Sequence, residues 1–313
     1  MAYRKGQSGG LSPATRITQE IIARLEAGTK PWIKPWRGVP VSRPLRACGI
    51  PYRGMNVFWL WMVADMCGYA SPFWMTYNQA KSLGAQVRKG EKSTIAIFYK
   101  SYTRQVEAPD TGEKTDEARR VLKAYPVFNA DQVEGLPERF HPAATLELVE
   151  PEGREAELDA FFAAIPVNLR HQGCEAYYEP TADRVTMPPT SLFSGFDHYY
   201  ATLAHELSHW TGHASRLGRD LKNRFGTAAY AAEELVAELS SAMLGAELGL
   251  PVTHLDSHAS YIEHWLKLLK DDDRAILTAA AKAEEASTLL LRLGGRITAE
   301  QFDGATDDAA LAA

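Results

Sequence analysis

Ile17, Ile21, Ile22 and Leu25 recur at intervals of three and four, the spacing that lines one face of an α-helix. Ser12 supplies an N-cap oxygen ahead of them, Pro13 suits the first helical position, and Gly28 stops the run. Residues 29–54 are rich in Pro, Gly, Arg and Trp and read as extended loop. Asn56 is placed to cap a helix over 57–66, and Thr76 to cap another that ends near Gly84. Residues 94–99 and 102–106 read as strands of a hairpin. The polar stretch 108–118 reads as a hairpin tip or loop, and 121–128 as a further strand. Residues 129–150 are irregular and contain prolines. Helical periodicity returns at 154–164, and 174–178 and 184–187 read as strands joined by 179–183. The chain is then helical over 197–213, 229–248, 257–270 and 273–292. These patterns predict an α+β protein in five parts: a tail (1–11), a small α+β domain (12–128), a linker (129–150), a second domain (151–298) and a frayed end (299–313).

Composition narrows the class. With 45% hydrophobic and 23% charged residues, the 313-residue chain is globular. No apolar run approaches the ~20 residues of a membrane span, and no apolar segment follows the basic start, so neither a membrane anchor nor a secretory signal is expected. The three cysteines, Cys48, Cys67 and Cys174, are odd in number and far apart, which predicts reduced thiols in a cytoplasmic protein. The net charge of -5 hides an asymmetry. Residues 1–107 hold 16 Lys and Arg against 5 Asp and Glu, and the remainder holds 18 against 34. A basic segment joined to an acidic one predicts two tasks, only the first of which seeks a polyanion.

The chemistry sits in His205-Glu206-Leu207-Ser208-His209. On a helix, His205 and His209 share one face one turn apart, so their ring nitrogens can converge on a metal. Glu206 is rotated off that line and is the candidate general base. A catalytic zinc needs a third protein ligand. His213 lies past the helix-ending Gly212, and Ser215 stands where a longer His signature would place its third His. The remaining option is Glu233-Glu234-Leu235-Val236-Ala237-Glu238. Glu234 is the first choice, with Glu233 and Glu238 as alternatives. Zinc peptidases of the thermolysin-like group carry an acidic residue four positions after a Glu ligand, and Glu238 matches it as the carboxylate that orients a ligating His. Glu233 is then expected to face solvent. The expected cofactor is Zn2+, with Mn2+ or another divalent ion as the alternative. The expected activity is that of a zinc-dependent metallopeptidase, for which 174–178 is a candidate edge strand to pair with a peptide. Tyr230 and His213 are weak candidates for oxyanion stabilisation.

The basic half is also aromatic. Trp32, Trp36, Trp59, Trp61 and Trp74 are five of the seven tryptophans, and they alternate with Lys30, Lys34, Arg37, Arg43, Arg46 and Arg53. Cations neutralise phosphates, and rings stack on unpaired bases. No helix-turn-helix or zinc-finger signature is present, which favours sequence-tolerant binding of single-stranded DNA. The candidate contacts are Lys30, Trp32, Lys34, Trp36, Arg37, Arg53, Arg88 and Lys89, while Trp59, Trp61 and Trp74 are expected in a core.

Together these motifs resemble one family. Trp32-x3-Trp36, Pro51-Tyr52-Arg53-Gly54-Met55-Asn56, Trp74-Met75-Thr76 and Gly84 with Val87-Arg88-Lys89-Gly90-Glu91 are similar to the N-terminal domain of ArdC-type antirestriction proteins. Tyr125-Pro126-Val127-Phe128-Asn129 is similar to the segment that follows. The His205–His209 motif with Thr211-Gly212-His213, and the Glu233–Glu238 run, resemble that family's zincin-like metallopeptidase domain. The resemblance covers roughly residues 12–295. It implies a plasmid- or phage-borne bacterial protein that binds single-stranded DNA and protects incoming DNA from restriction. It also implies His205, His209 and Glu234 as metal ligands and Glu206 as general base. The protein substrate is left undetermined, with a host restriction component as one candidate. Competing readings are a DNA-binding module whose metal domain is structural or inactive, and a general zinc peptidase with no DNA role.

Overall fold

A computed structural model gives the fold and describes residues 11–29, 32, 42–107, 114–141, 153–221, 227–250 and 259–298. Helix α1 (Pro13–Glu26) begins where expected: the Ser12 hydroxyl accepts from Thr15 N at 3.1 Å, and Ile17, Ile21 and Leu25 are buried. Strand β1 (Leu45–Arg46) precedes α2 (Met55–Cys67), which is buried around nearly all of its circumference. A helix apolar on every side belongs in the middle of a protein. Asn56 lies inside α2 and does not cap it. Its side chain donates to Ile97 O at 2.7 Å and accepts from Ile97 N at 2.8 Å. The cap expectation failed because a buried amide satisfied by a strand backbone looks, in sequence, like an amide at a helix start.

Strand β2 (Phe73–Met75) leads to α3 (Tyr77–Ser82), with Thr76 and Gln79 forming the reciprocal capping pair. After β3 (Gln86–Val87), the chain runs through β4 (Thr94–Glu107) and back along β5 (Lys114–Asn129) in one antiparallel ribbon. The expected reversal between residues 99 and 102 is therefore absent, and β4 passes straight through. Residues 129–141 are not a loose connection. Asn129 caps a turn at 130–132, β6 (Val133–Glu134) pairs with β3, and Ala130, Val133 and Phe140 pack with Met75 and Val87.

Helix α4 (Arg154–Ala163) opens the second half. Three short strands follow: β7 (Asn168–His171), β8 (Tyr177–Glu179) and β9 (Arg184–Met187), in the order β7-β9-β8, with β7 parallel and β8 antiparallel to β9. The expected strand 174–178 is thus realised only at its end, and β8 is an edge strand. Helices α5 (Phe196–Thr211), α6 (Ala228–Leu248), α7 (Ala259–Asp271) and α8 (Ala275–Leu293) complete the mixed helix-and-sheet architecture, α+β in class. Among the described residues no helix is long and apolar enough to cross a membrane.

One hydrophobic cluster takes residues from both halves of the chain. Ile17, Phe58 and Leu60 share one cluster with Leu235, Trp265, Ile276 and Ala280. Polar groups fasten the same junction. The buried Arg43 guanidinium hydrogen-bonds Glu284 at 2.7 Å, and Gly54 N donates to the same carboxylate at 3.0 Å. Arg43 Nε stands 2.7 Å from Glu247 but off the N–H axis, so that contact is an ion pair and not a hydrogen bond. A second cluster joins α4, β9 and α5 through Phe161, Phe162, Val185, Met187, Leu203 and Leu207. Helices α5 and α6 are each held on a packed side, which fixes the faces they turn toward each other.

Candidate metal centre

Helix α5 carries His205 and His209 one turn apart, their rings 5.0 Å from centre to centre. Helix α6 brings Glu234 between them: its carboxylate oxygens lie 3.7 Å from His205 Nε2 and 3.5 Å from His209 Nε2. One donor atom from each of the three lies within 4.8 Å of the others. Ligands at about 2.1 Å around a tetrahedral ion stand ~3.4 Å apart, so the three groups fit a divalent ion. Two imidazoles and a carboxylate suit zinc or manganese. The pattern of two His on one helix turn and a Glu on the next helix was legible from spacing. The inward turn of Glu234 needed α6 to cross α5 at the right height.

The electrostatics suit a cation. Burial by itself would lower the His205 imidazole, but the Glu234, Glu206 and Glu238 carboxylates outweigh it and push it up to about 9. Burial by itself would raise Glu234, but the two imidazoles and a hydrogen bond from Tyr230 hold it down at about 2. Burial raises Glu206 above the usual carboxylate range, although both His and the Tyr178 backbone N–H oppose that rise. Glu206 is 8% exposed, beside the metal-ligand candidates and under edge strand β8.

The surroundings correct two expectations. Glu238 was expected to hydrogen-bond the far nitrogen of a ligating His. Instead, Nδ1 of His205 is buried with no hydrogen-bond partner among the described residues, and Glu238, 4% exposed, acts on that ring through charge. Glu233 was expected to face solvent. Its carboxylate instead lies 3.2 Å from His209 Nδ1 and takes a forked contact from Arg219. The reason is rotational: successive helix residues turn by ~100°, so Glu233 and Glu234 reach His209 from two sides. Arg219 carries no sequence signal, since nothing in its loop marks it. His213 does not join the donor cluster, and its Nδ1 is tied to Ser215 Oγ at 2.8 Å. Arg216 clamps the turn before β9 onto the end of α5. It pairs with Asp183, donates to Trp210 O at 2.7 Å and stacks on the Trp210 ring. This clamp keeps β8 beside Glu206.

The nucleic-acid candidates scatter. Trp32 is corrected: it is 1% exposed and packs edge-on against Trp265 at 5.4 Å, so its face is closed to a base. Trp59, Trp61 and Trp74 are also in the core. Arg53 is half-buried, 3.8 Å from Glu284. Arg88 is exposed, 3.6 Å from Glu91, and Lys89 is exposed beside it. Lys30, Lys34, Trp36 and Arg37 lie outside the described residues.

Comparison with known proteins agrees with this architecture. Residues 12–128 match the N-terminal domain of anti-restriction factor ArdC, and 156–282 match a zincin-like metallopeptidase. The crystal structure of the antirestriction ArdC protein from the R388 plasmid, metal-free, is 44% identical, with a TM-score of 0.78 over 92% of this chain and 100% of that one. The chain belongs to the ArdC antirestriction family. The Mn(II)-bound structure of the R388 protein is 43% identical over the same shares, with a TM-score of 0.75. Among sequence relatives, the ArdC-type chain is 42% identical over 276 residues to the uncharacterized protein y4eC of Sinorhizobium fredii, covering 88% of it. It is 39% identical over 304 residues to the DNA primase TraC of Escherichia coli, but it spans only 28% of that protein. A zincin-like domain implies a divalent metal, and the ArdC-type donors His205, His209 and Glu234 fit one.

Proposed function

We propose that this chain is an antirestriction protein that binds single-stranded DNA through its N-terminal half and cleaves a peptide bond at its metal centre. The observation that carries the enzymatic part is the convergence of His205, His209 and Glu234 with Glu206 beside them. His205, His209 and Glu234 would hold the ion, zinc or manganese, with three protein donors and an open position left for water or substrate. The bound ion supplies Lewis acidity, which eases deprotonation of water and polarises a carbonyl. Glu206 takes the proton of the attacking water on its carboxylate and passes it to the leaving amine. Its raised affinity for protons suits both steps. Edge strand β8, next to Glu206, offers backbone to an extended peptide. Tyr230, which donates to Glu234, stays a candidate for stabilising the oxyanion, whereas His213 Nδ1 is tied to Ser215 Oγ.

For DNA, the charge excess of residues 1–107 supplies the attraction. Arg88 and Lys89 stand exposed at one end of β3, near Gln86, which donates to the hydroxyl of the exposed Tyr77. Cations beside an exposed ring suit a sequence-tolerant single-strand surface.

The test is Glu206→Gln, assayed for peptide cleavage, single-strand binding and protection of transferred DNA. Loss of cleavage with DNA binding intact is expected. Full cleavage by the variant would overturn the assignment of Glu206. Full protection by a cleavage-dead variant would mean that DNA binding suffices for antirestriction. Absence of any salt-sensitive retardation of labelled single strands would remove the DNA half.

A further inference from the structure

We infer that Arg219 is a positioning residue for the metal centre: acting through Glu233, it holds the His209 ring with Nε2 turned toward the ion. The inference rests on the metal site proposed above. Arg219 belongs to neither active-site helix. It lies in the segment after α5, yet its side chain is only 4% exposed. Its Nε and Nη2 approach the two Glu233 oxygens at 3.0 and 2.8 Å, the fork geometry of a strong arginine–carboxylate pair. The same guanidinium donates to Ser208 O at 2.6 Å and Thr211 Oγ1 at 2.9 Å. Ser208 O lies in the last turn of α5, where carbonyls run out of i+4 backbone donors, and it also accepts from Thr211 Oγ1 at 2.6 Å. One side chain therefore grips the end of α5 and the start of α6 at once.

Glu233 transmits that grip. Its carboxylate is forked to Arg219 on one side and faces His209 Nδ1 on the other. At 3.2 Å from His209 Nδ1, it fixes the proton on that nitrogen and leaves the Nε2 lone pair directed at the space shared with Glu234. A carboxylate behind a ligating imidazole sets its tautomer and raises its basicity. Among the described residues nothing hydrogen-bonds Nδ1 of His205, so a carboxylate behind the ring is seen at His209 and not at His205. Gly212 eases the approach: a Cβ there would sit 3.0 Å from Arg219 Nη2, from His209 O and from the Leu221 side chain.

The test uses the full chain, stripped of metal and titrated with Zn2+ against a chromophoric chelator. The visible spectrum of the Co2+ form reports ligand geometry. Arg219→Met is expected to weaken Zn2+ binding ~10–100-fold and alter the Co2+ spectrum, with Arg219→Lys recovering part of the loss. Glu233→Gln, nearly identical in shape, is expected to weaken binding similarly, and it decides the matter if Arg219→Met does not fold. Folded variants that bind Zn2+ as the wild type does, with an unchanged Co2+ spectrum, would show that Arg219 merely staples the helices. Failure of the wild-type chain to bind a divalent ion would overturn the metal site itself, and this assignment with it.

Discussion

Replacing Trp32 separates two roles that sequence alone confuses. The ring is 1% exposed and meets Trp265 edge-on at 5.4 Å with planes inclined by 70°, while Trp265 is itself fully buried and donates to Ala231 O at 3.0 Å. Trp32→Ala would remove that ring from a core shared by α1, α2, α6 and α7. Truncating a buried Trp costs about 3–5 kcal/mol, of which the edge-to-face pair supplies roughly 0.5–1.5 kcal/mol. Trp32→Phe keeps most of the apolar bulk. It also removes an indole N–H that finds no partner among the described residues, and burying such a donor costs about 1–3 kcal/mol. The Phe variant should therefore lose much less than the Ala variant. Urea unfolding followed by Trp fluorescence and circular dichroism measures both. Single-strand binding, assayed by fluorescence anisotropy on the folded fraction, should be unchanged in either. The reasoning fails if Trp32→Ala unfolds at the wild-type urea concentration while its DNA affinity drops.

Two further outcomes follow from charge. His205 is held at about 9 without metal, so the metal-free protein carries that proton at neutral pH. Metal binding should release it, and affinity should rise with pH up to about 9; calorimetry in buffers of different ionisation enthalpy checks this, and binding without proton release contradicts it. The sign for stability is opposite. A raised His pKa stabilises the metal-free fold fully below its ordinary value of 6.5, and that contribution is lost as pH climbs through about 9, which urea midpoints across that range would record. At the junction, Arg43→Met leaves Glu284 beside a buried apolar side chain and should cost about 3–5 kcal/mol, whereas Arg43→Met with Glu284→Gln should recover part of it. Equal denaturation midpoints for the single variant and wild type would show the pair to be incidental.

The sequence by itself determined what depends on short-range order. Helix periodicity, the Ser12 and Thr76 caps, the long helices after residue 196 and the one-turn spacing of His205 and His209 are all set within a few residues of chain. It also marked Glu234 as the leading third donor, because an acidic cluster on the next helix is visible in one dimension. Only the tertiary structure decided which carboxylate served which imidazole. Glu233, Glu234 and Glu238 differ by rotation about α6, and the crossing of α5 and α6 selects among them. Burial reassigned Trp32 for the same reason, and it turned Arg43 inward to Glu284. A ring or a cation in a basic, aromatic segment reads alike whether it faces solvent or a helix more than two hundred residues away. Arg219 is the extreme case, since its meaning arises where the end of one helix meets the start of another, a meeting that no local pattern encodes.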